Sequence, residues 1–354
     1  MLTPHRLCVF ALLAVAASGS PEQLSLALTE NGPSEMSITW ASLMPYSAAT
    51  SSGKVTWQLA SGGPPSTAAA VTSTYSASLG WSGTLFRAVM TGLTPGARYS
   101  YSVTDASGNS SQQFAFNAAP ALPAAGSAAH IAVLGDMGTV QLFGWATAAA
   151  LVAEHAVNPF DLTLIAGDLS YATVSPPNGI EIQSAWDSWC LQNQPFAATA
   201  PFMMTVGNHE STPGTTTNSS GGPFPLEYAA FTARFRMPAN GGSGNYFYHY
   251  SIGPAFFVSV DGEHDISVGS AQHAWLAATL AAVDRSVHPW LFAVMHHPVL
   301  SSDSDEAPDH TPGGPRSVAL EPLFLQYKVD VVFQGHQVRA RARARERSRR
   351  RRRF

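Results

Sequence analysis

From Pro21 to about Asn117, apolar and polar positions alternate in short stretches. Leu24, Leu26 and Leu28 alternate with polar neighbours, and Met36, Ile38 and Trp40 repeat the pattern after the turn Asn31-Gly32-Pro33. Lys54 to Leu59, Leu85 to Met90, Arg98 to Thr104 and Gln112 to Phe116 are further strand-like pieces, and Leu93-Thr94-Pro95-Gly96 is a turn feeding the strand at Tyr99. About seven such segments in roughly 100 residues, with no helical period, predict an antiparallel β-sandwich. None of them carries a cluster of ligand-type side chains, so this domain reads as a support.

Residues 118–129, rich in alanine and proline, read as a linker. Beyond it the pattern changes to unbroken apolar runs: Ile131 to Leu134, Leu162 to Ala166, Phe202 to Val206, Phe256 to Val260, Trp290 to Met295 and Val329 to Phe333. Alanine-rich stretches of helical character, such as Phe143 to His155 and Ala271 to Val283, lie between several of them. Trp186, Trp189 and Cys190 share one face of a further helix. Apolar strands alternating with helices indicate sheets covered on both faces, hence an α/β domain over residues 130–338. The loops Thr212 to Pro225 and Ser301 to Pro315 are long enough to be functional.

The residues just past each run carry the chemistry. The runs give way in turn to Gly135-Asp136, Gly167-Asp168 with Tyr171, Gly207-Asn208-His209-Glu210, His296-His297 and Gly335-His336. In open α/β sheets the loops beyond the carboxyl ends of strands converge on one crevice. A residue without Cβ lets the backbone turn and approach an ion closely. Carboxylate, imidazole, amide oxygen and phenolate together suit iron, manganese and zinc. Each pair alone reads as a turn or a cap, and the weight lies in five such strand ends within one domain. His297 points to the opposite face from His296 if the strand continues. Asp261 reads as a turn residue, His264 is unassigned, and His155, His249, His273 and His288 read as surface or capping residues.

This ordered set resembles the purple acid phosphatases, within the dinuclear metallophosphoesterases. It carries Gly135-Asp136-Met137-Gly138, Gly167-Asp168-Leu169-Ser170-Tyr171, Gly207-Asn208-His209-Glu210, Val294-Met295-His296 and Gly335-His336. The resemblance covers residues 21–338. It implies a multidomain α+β chain: a fibronectin-III-like β-sandwich over residues 21–117, then an αββα calcineurin-like metallophosphoesterase domain. By the same resemblance, Asp136 and Tyr171 bind Fe(III). Asn208, His296 and His336 bind one divalent ion (Fe, Zn or Mn), and Asp168 bridges the two. His209 hydrogen-bonds the phosphate, and His310 protonates the leaving group. The activity implied is acid hydrolysis of small phosphate monoesters by a metal-bound hydroxide. The alternatives are a phosphodiesterase or nucleotidase on the same site, or a degenerate binding protein. The family's last motif ends in a second histidine on the ferric ion, and here Val338 stands in its place, which implies weaker iron binding and little activity.

Composition sets the surroundings. Of 354 residues, 45% are hydrophobic and 12% charged, too apolar for a disordered chain. Arg6, the apolar stretch Leu7 to Ala17 and the small residues Ser18-Gly19-Ser20 have the layout of an export signal over residues 1–20. The expected location is extracellular, or vacuolar or lysosomal. Asn109 and Asn218 open glycosylation sequons. Cys8 falls in the signal and Cys190 is left alone, so neither an intrachain disulfide nor a thiolate metal site is available. Ten of the 19 basic residues lie between Arg339 and Arg353, leaving 9 basic against 22 acidic residues elsewhere. That acidic body argues against nucleic acid as a partner, and no apolar run is long enough to span a membrane. A homodimer is compatible with the sequence. The arginine tail at 339–354 reads as the product of a shifted reading frame or as a solvated, disordered anion-binding appendage.

Overall fold

The computed structural model describes residues 20–43, 52–75, 81–122, 128–139, 143–172, 182–210, 228–242, 246–301 and 310–337. The export signal, Asn218, Val338, the arginine tail and most of the two long loops lie outside the described residues.

Among the described residues, eight strands form the N-terminal sandwich. One sheet has the order β1 (Glu22–Ala27), β2 (Met36–Ser42), β6 (Thr84–Met90), β5 (Val71–Ser73). The other runs β4 (Ser66–Ala69), β3 (Lys54–Leu59), β7 (Arg98–Thr104), β8 (Phe114–Asn117). All pairings within the two sheets are antiparallel. The alternating apolar positions meet between the sheets, where Trp40 stacks on Phe86 with ring centroids 5.3 Å apart. The edge strands β4 and β5 were not legible: they are made of Ser, Thr and Ala, and their one large apolar residue, Val71, is exposed. The linker begins as a continuation of β8, with Ala118 N donating to Ala97 O and Gly96 N to Ala119 O.

Strand β1 departs from the expected half-buried pattern, because every residue in it is buried. Its second face is covered by the C-terminal domain. Leu24 N donates to Gln194 Oε1 at 3.0 Å, and Gln23 Nε2 to Asp187 Oδ1 at 3.1 Å. Gln23 takes a left-handed backbone (φ 60°) where the β1–β2 register shifts. The junction centres on Arg234, which is 3% exposed. Its guanidinium donates to Gln23 Oε1 (2.8 Å) and Tyr75 Oη (2.9 Å), pairs with Asp187 (2.9 Å) and lies 4.7 Å from the Trp81 ring centre. One apolar core runs without a break from Trp40 and Tyr101 in the sandwich to Trp189, Phe202 and Phe257 in the second domain.

Among the described residues, the second domain has two sheets. Strands β9 (Ile131–Leu134), β10 (Leu162–Ala166) and β11 (Phe202–Thr205) are parallel, in the order β11-β10-β9. The other sheet runs β12 (Tyr248–Ile252), β13 (Ala255–Ser259), β14 (Trp290–Val294), β15 (Val331–Phe333), with only β12 antiparallel. Helices α1 (Gly144–Val157) and α2 (Gln183–Ala197) pack with the first sheet, while the short helix α3 (Ala229–Arg234) carries the junction arginine. Helices α4 (Ala271–Ala282) and α5 (Pro315–Gln326) cover the second sheet. Strand β14 shows why its run is unbroken. Leu291 and Ala293 pack with Leu276, Leu280 and Leu320 of the helices, whereas Phe292 and Val294 face the other sheet's core. The result is the αββα layering, with β10 and β11 fully buried and β13 and β14 largely so, and the edge strands β9 and β15 more open.

Removing the junction cation leaves Asp187 largely desolvated without its partner. Arg234→Ala is expected to lower unfolding stability by about 3 kcal/mol. A loss under about 1 kcal/mol in urea unfolding would place this pair with exposed, weak ones.

Candidate metal centre

The ligand candidates lie just past the carboxyl ends of five parallel strands, β9, β10, β11, β14 and β15. The sheet edges β9 and β15 meet here: a Cβ on Gly135 would stand 3.3 Å from Gly335 Cα. Two other glycines are fixed by close approach. A Cβ on Gly207 would fall 2.4 Å from Asp168 Oδ1, and one on Gly335 2.6 Å from Asp136 Oδ2. The glycine before the ligand thus makes room for the neighbouring strand's ligand.

Four of the candidates themselves have left-handed backbones, with φ of 54° at Asp136, 52° at Asp168, 51° at Tyr171 and 67° at His336. Such a conformation costs a non-glycine residue roughly 1 kcal/mol or more and persists only where the surroundings over-determine it. Glu210, 1% exposed, is one source of that determination. Its carboxylate accepts from Asp168 N (2.8 Å), Leu169 N (2.8 Å) and Gly207 N (2.9 Å), tying the loop after β10 to the loop after β11. Burial and the nearby Asp168 charge push the Glu210 carboxyl up to about 8.

The side chains converge. His296 Nε2 is 3.2 Å from Asp168 Oδ1 and 3.1 Å from Asn208 Oδ1. His336 Nδ1 is 3.0 Å from Asn208 Oδ1 and 3.2 Å from His296 Nε2. Tyr171 Oη donates to Asp136 Oδ1 at 3.1 Å, and His336 N to Asp136 Oδ2 at 2.8 Å. His209 N donates to Asp168 Oδ1 at 3.0 Å, with its ring 4.4 Å from that of Tyr171. His296 Nδ1 lies 2.8 Å from Ala166 O, which places its proton there and turns Nε2 toward the cluster. His310 Nδ1 is likewise 2.8 Å from Pro298 O. The structure therefore brings together Asp136, Asp168, Tyr171, Asn208, His209, His296 and His336, with the His310 ring 6.0 Å from that of His336.

Electrostatics agree with a cation at this point. Burial raises the Asp136 carboxyl. Burial also raises the Tyr171 phenol well above its ordinary value, and the Asp168 and Asp136 charges add to that. Burial favours neutral His296, yet the hydrogen bond and charge of Asp168 outweigh it and lift the imidazole to about 9. Protons are thus held on Tyr171 and His296 where two carboxylates concentrate negative charge. Hard and borderline donors with buried acceptor oxygens fit a pair of cations, which take the place of those protons.

The structure corrects the expectation for His297. Strand β14 stops at Val294, so strand parity no longer applies, and the His297 ring lies 4.0 Å from that of His336. The doubled histidine was the available signal. Glu263, 3.0 Å from His297 Nε2, carried none, since it follows a turn. Asp261 does form that turn, accepting from Glu263 N at 2.9 Å, and it also pairs with His264. His155 serves as a cap, its Nδ1 accepting from Phe160 N at 3.0 Å.

The profile of the purple acid phosphatase N-terminal domain matches residues 21–118, and that of the calcineurin-like phosphoesterases matches residues 129–340. The chain is 30% identical to "Probable purple acid phosphatase 20" of Arabidopsis thaliana over 325 residues, 89% of this chain and 67% of that one. The chain belongs to the purple acid phosphatase family. It is also 30% identical over 277 residues to "Purple acid phosphatase 23" of the same plant, 72% of this chain and 57% of that one. A purple acid phosphatase from yellow lupin (Lupinus luteus) seeds shares the fold at a TM-score of 0.75 and 24% identity, covering 90% of this chain and 58% of that one. The chain thus spans 57% to 67% of the lengths of these relatives. Membership of this family of hydrolases implies a dinuclear metal centre. Among the described residues, no helix is long and apolar enough to cross a membrane.

In a purple acid phosphatase centre held this way, Glu210→Ala strands three buried backbone donors. Each orphaned donor costs about 1–3 kcal/mol, so a stability loss of at least about 3 kcal/mol in denaturant unfolding is expected. Glu210→Gln, which accepts through one oxygen only, should lie between that variant and the parent.

Proposed function

We propose that this chain hydrolyses small phosphate monoesters at a dinuclear centre. Asp136 and Tyr171 would hold its ferric ion, Asn208, His296 and His336 its divalent ion, and Asp168 would be shared between the two. The observation that carries this proposal is the meeting of Asp168 Oδ1, Asn208 Oδ1, His296 Nε2 and His336 Nδ1, with neighbouring atoms 3.0–3.2 Å apart. Fe(III) with Fe, Zn or Mn bound there supplies Lewis acidity that neutralises phosphoryl oxygens and acidifies water.

The protein's own groups orient the ester and move its protons. His209 is held by its backbone bond to Asp168 and by packing on Tyr171, and its ring would donate to a phosphate oxygen. His310 commits Nδ1 to Pro298 O, which assigns proton transfer to Nε2, and it acts as the acid for the departing alcohol. Asp168, held below the usual carboxylate range because His296 and His209 outweigh its burial, stays ionised in mild acid. The acidic body and the export signal suit an extracellular or vacuolar enzyme with no nucleic-acid partner.

Val338 occupies the position of the family's second histidine in the last motif, so the parent chain is expected to hold iron weakly and turn over slowly. Val338→His should raise both iron content and turnover; no gain in either would remove that residue from the account. Asp168→Asn is expected to lower monoester hydrolysis by at least about 100-fold, the equivalent of several kcal/mol of charge stabilisation. Comparing an aryl phosphate, its diester and a nucleotide on the metal-loaded chain tests the class. Monoester preference is the expected outcome, and faster diester or nucleotide cleavage would favour the phosphodiesterase or nucleotidase alternative.

A further inference from the structure

A second group of ligand atoms lies beside the first. His297, His310 and His336 each offer a ring nitrogen, and these three atoms lie within 4.8 Å of one another. Asp168, His296 and His336 form a separate group on the same criterion, so His336 belongs to both. Its Nδ1 is the nitrogen beside Asn208 and His296. An imidazole has a second nitrogen, so one ring can serve two neighbouring cations as an imidazolate, its N–H proton passing to solvent as the second cation binds.

His297 is prepared as a ligand. Its Nε2 stands 3.0 Å from Glu263 Oε1, an ion-pair distance without hydrogen-bond alignment, so a carboxylate lies beside the far nitrogen of the ring. Its Nδ1 is buried and has no hydrogen-bond partner among the described residues. A buried nitrogen lone pair left unmatched costs free energy unless something cationic or proton-bearing meets it. A carboxylate holding the far side of an imidazole is also how metal-binding histidines are oriented and made more basic. His310 has its Nδ1 2.8 Å from Pro298 O. The rings of His297 and His310 stack at 5.4 Å with 14° between their planes, and the His297 and His336 rings are 4.0 Å apart. Arg316 is the positive group on this side; its Nη1 donates to Gly262 O at 2.8 Å, and Glu263 offsets its charge.

We propose that His297, His310 and His336 form a three-imidazole site for a divalent cation of the zinc class, beside and distinct from the Asp168 cluster. Three histidines with one open position are a recurrent zinc geometry, in which ligand nitrogens about 2.0 Å from the ion stand about 3.3 Å from one another. The three nitrogens, all within 4.8 Å of one another, would draw together to that value around a bound ion. A cation here takes His310 out of proton transfer, so occupancy of this site opposes the reaction proposed above. Cation binding itself depends only on the three rings.

The test uses the full chain, stripped of metal and titrated with Co2+ followed by visible absorption, with Zn2+ as competitor. The parent is expected to take up one equivalent that is lost in His297→Gln and in His310→Gln and kept in Asp168→Asn. Glu263→Gln should weaken that equivalent about 10-fold or more, as loss of an orienting carboxylate does. Circular dichroism melting establishes that each variant is folded, and Glu263→Gln, which changes no donor atom, stands in for any that is not. Retention of every equivalent in His297→Gln, unchanged affinity in Glu263→Gln, or loss of the equivalent in a folded Asp168→Asn chain overturns the proposal. The outcome is independent of whether the chain hydrolyses any phosphate ester.

Discussion

Two carboxylates, an amide oxygen and two imidazoles do not gather at one point unaided, because their lone pairs and charges repel. Everything else in the second domain serves to hold them there. Strands buried on both faces supply stiffness, and their ends meet closely enough that Gly207 and Gly335 tolerate no side chain. Asp136, Asp168, Tyr171 and His336 accept unfavourable backbone torsions so that their donor atoms point inward. Strain of this kind survives only where neighbouring elements leave no alternative. Glu210 is the plainest example, one buried carboxylate fastening three backbone N–H groups from two loops.

Much of this was legible in the sequence. The unbroken runs mark the strands because those such as β10 and β11 are covered on both faces, and the glycine-ligand pairs mark strand ends because adjacent ligands occupy the space a Cβ needs. The features that escape a sequence reading have a consistent cause. The second face of β1 is buried by residues far along the chain, so a period-two pattern describes only half of its environment. Strands β4 and β5 are short sheet edges without apolar alternation. Strand parity fails at His297 because β14 ends at Val294, before the doubled histidine begins. Glu210 stood in the motif, yet its three partners appear only when the loops are brought together.

The sandwich contributes no residue to the cluster among the described residues, yet it is more than an attached module. Arg234 draws Gln23, Tyr75, Trp81 and Asp187 around one guanidinium at the junction. Its cation is desolvated, and hydrogen bonds and an aromatic face compensate for the lost water. Helix α2 is shared between the halves: Trp186 and Trp189 pack inward toward the first sheet while Asp187 and Gln194 face β1.

The uninterrupted core from Trp40 through Tyr101 to Phe202 and Phe257 has a consequence for how the molecule comes apart. Neither half can expose its side of that seam without stripping the other. Heat or denaturant therefore meets a single cooperative unit, and a lesion in the sandwich is transmitted to the strand ends that carry the ligands.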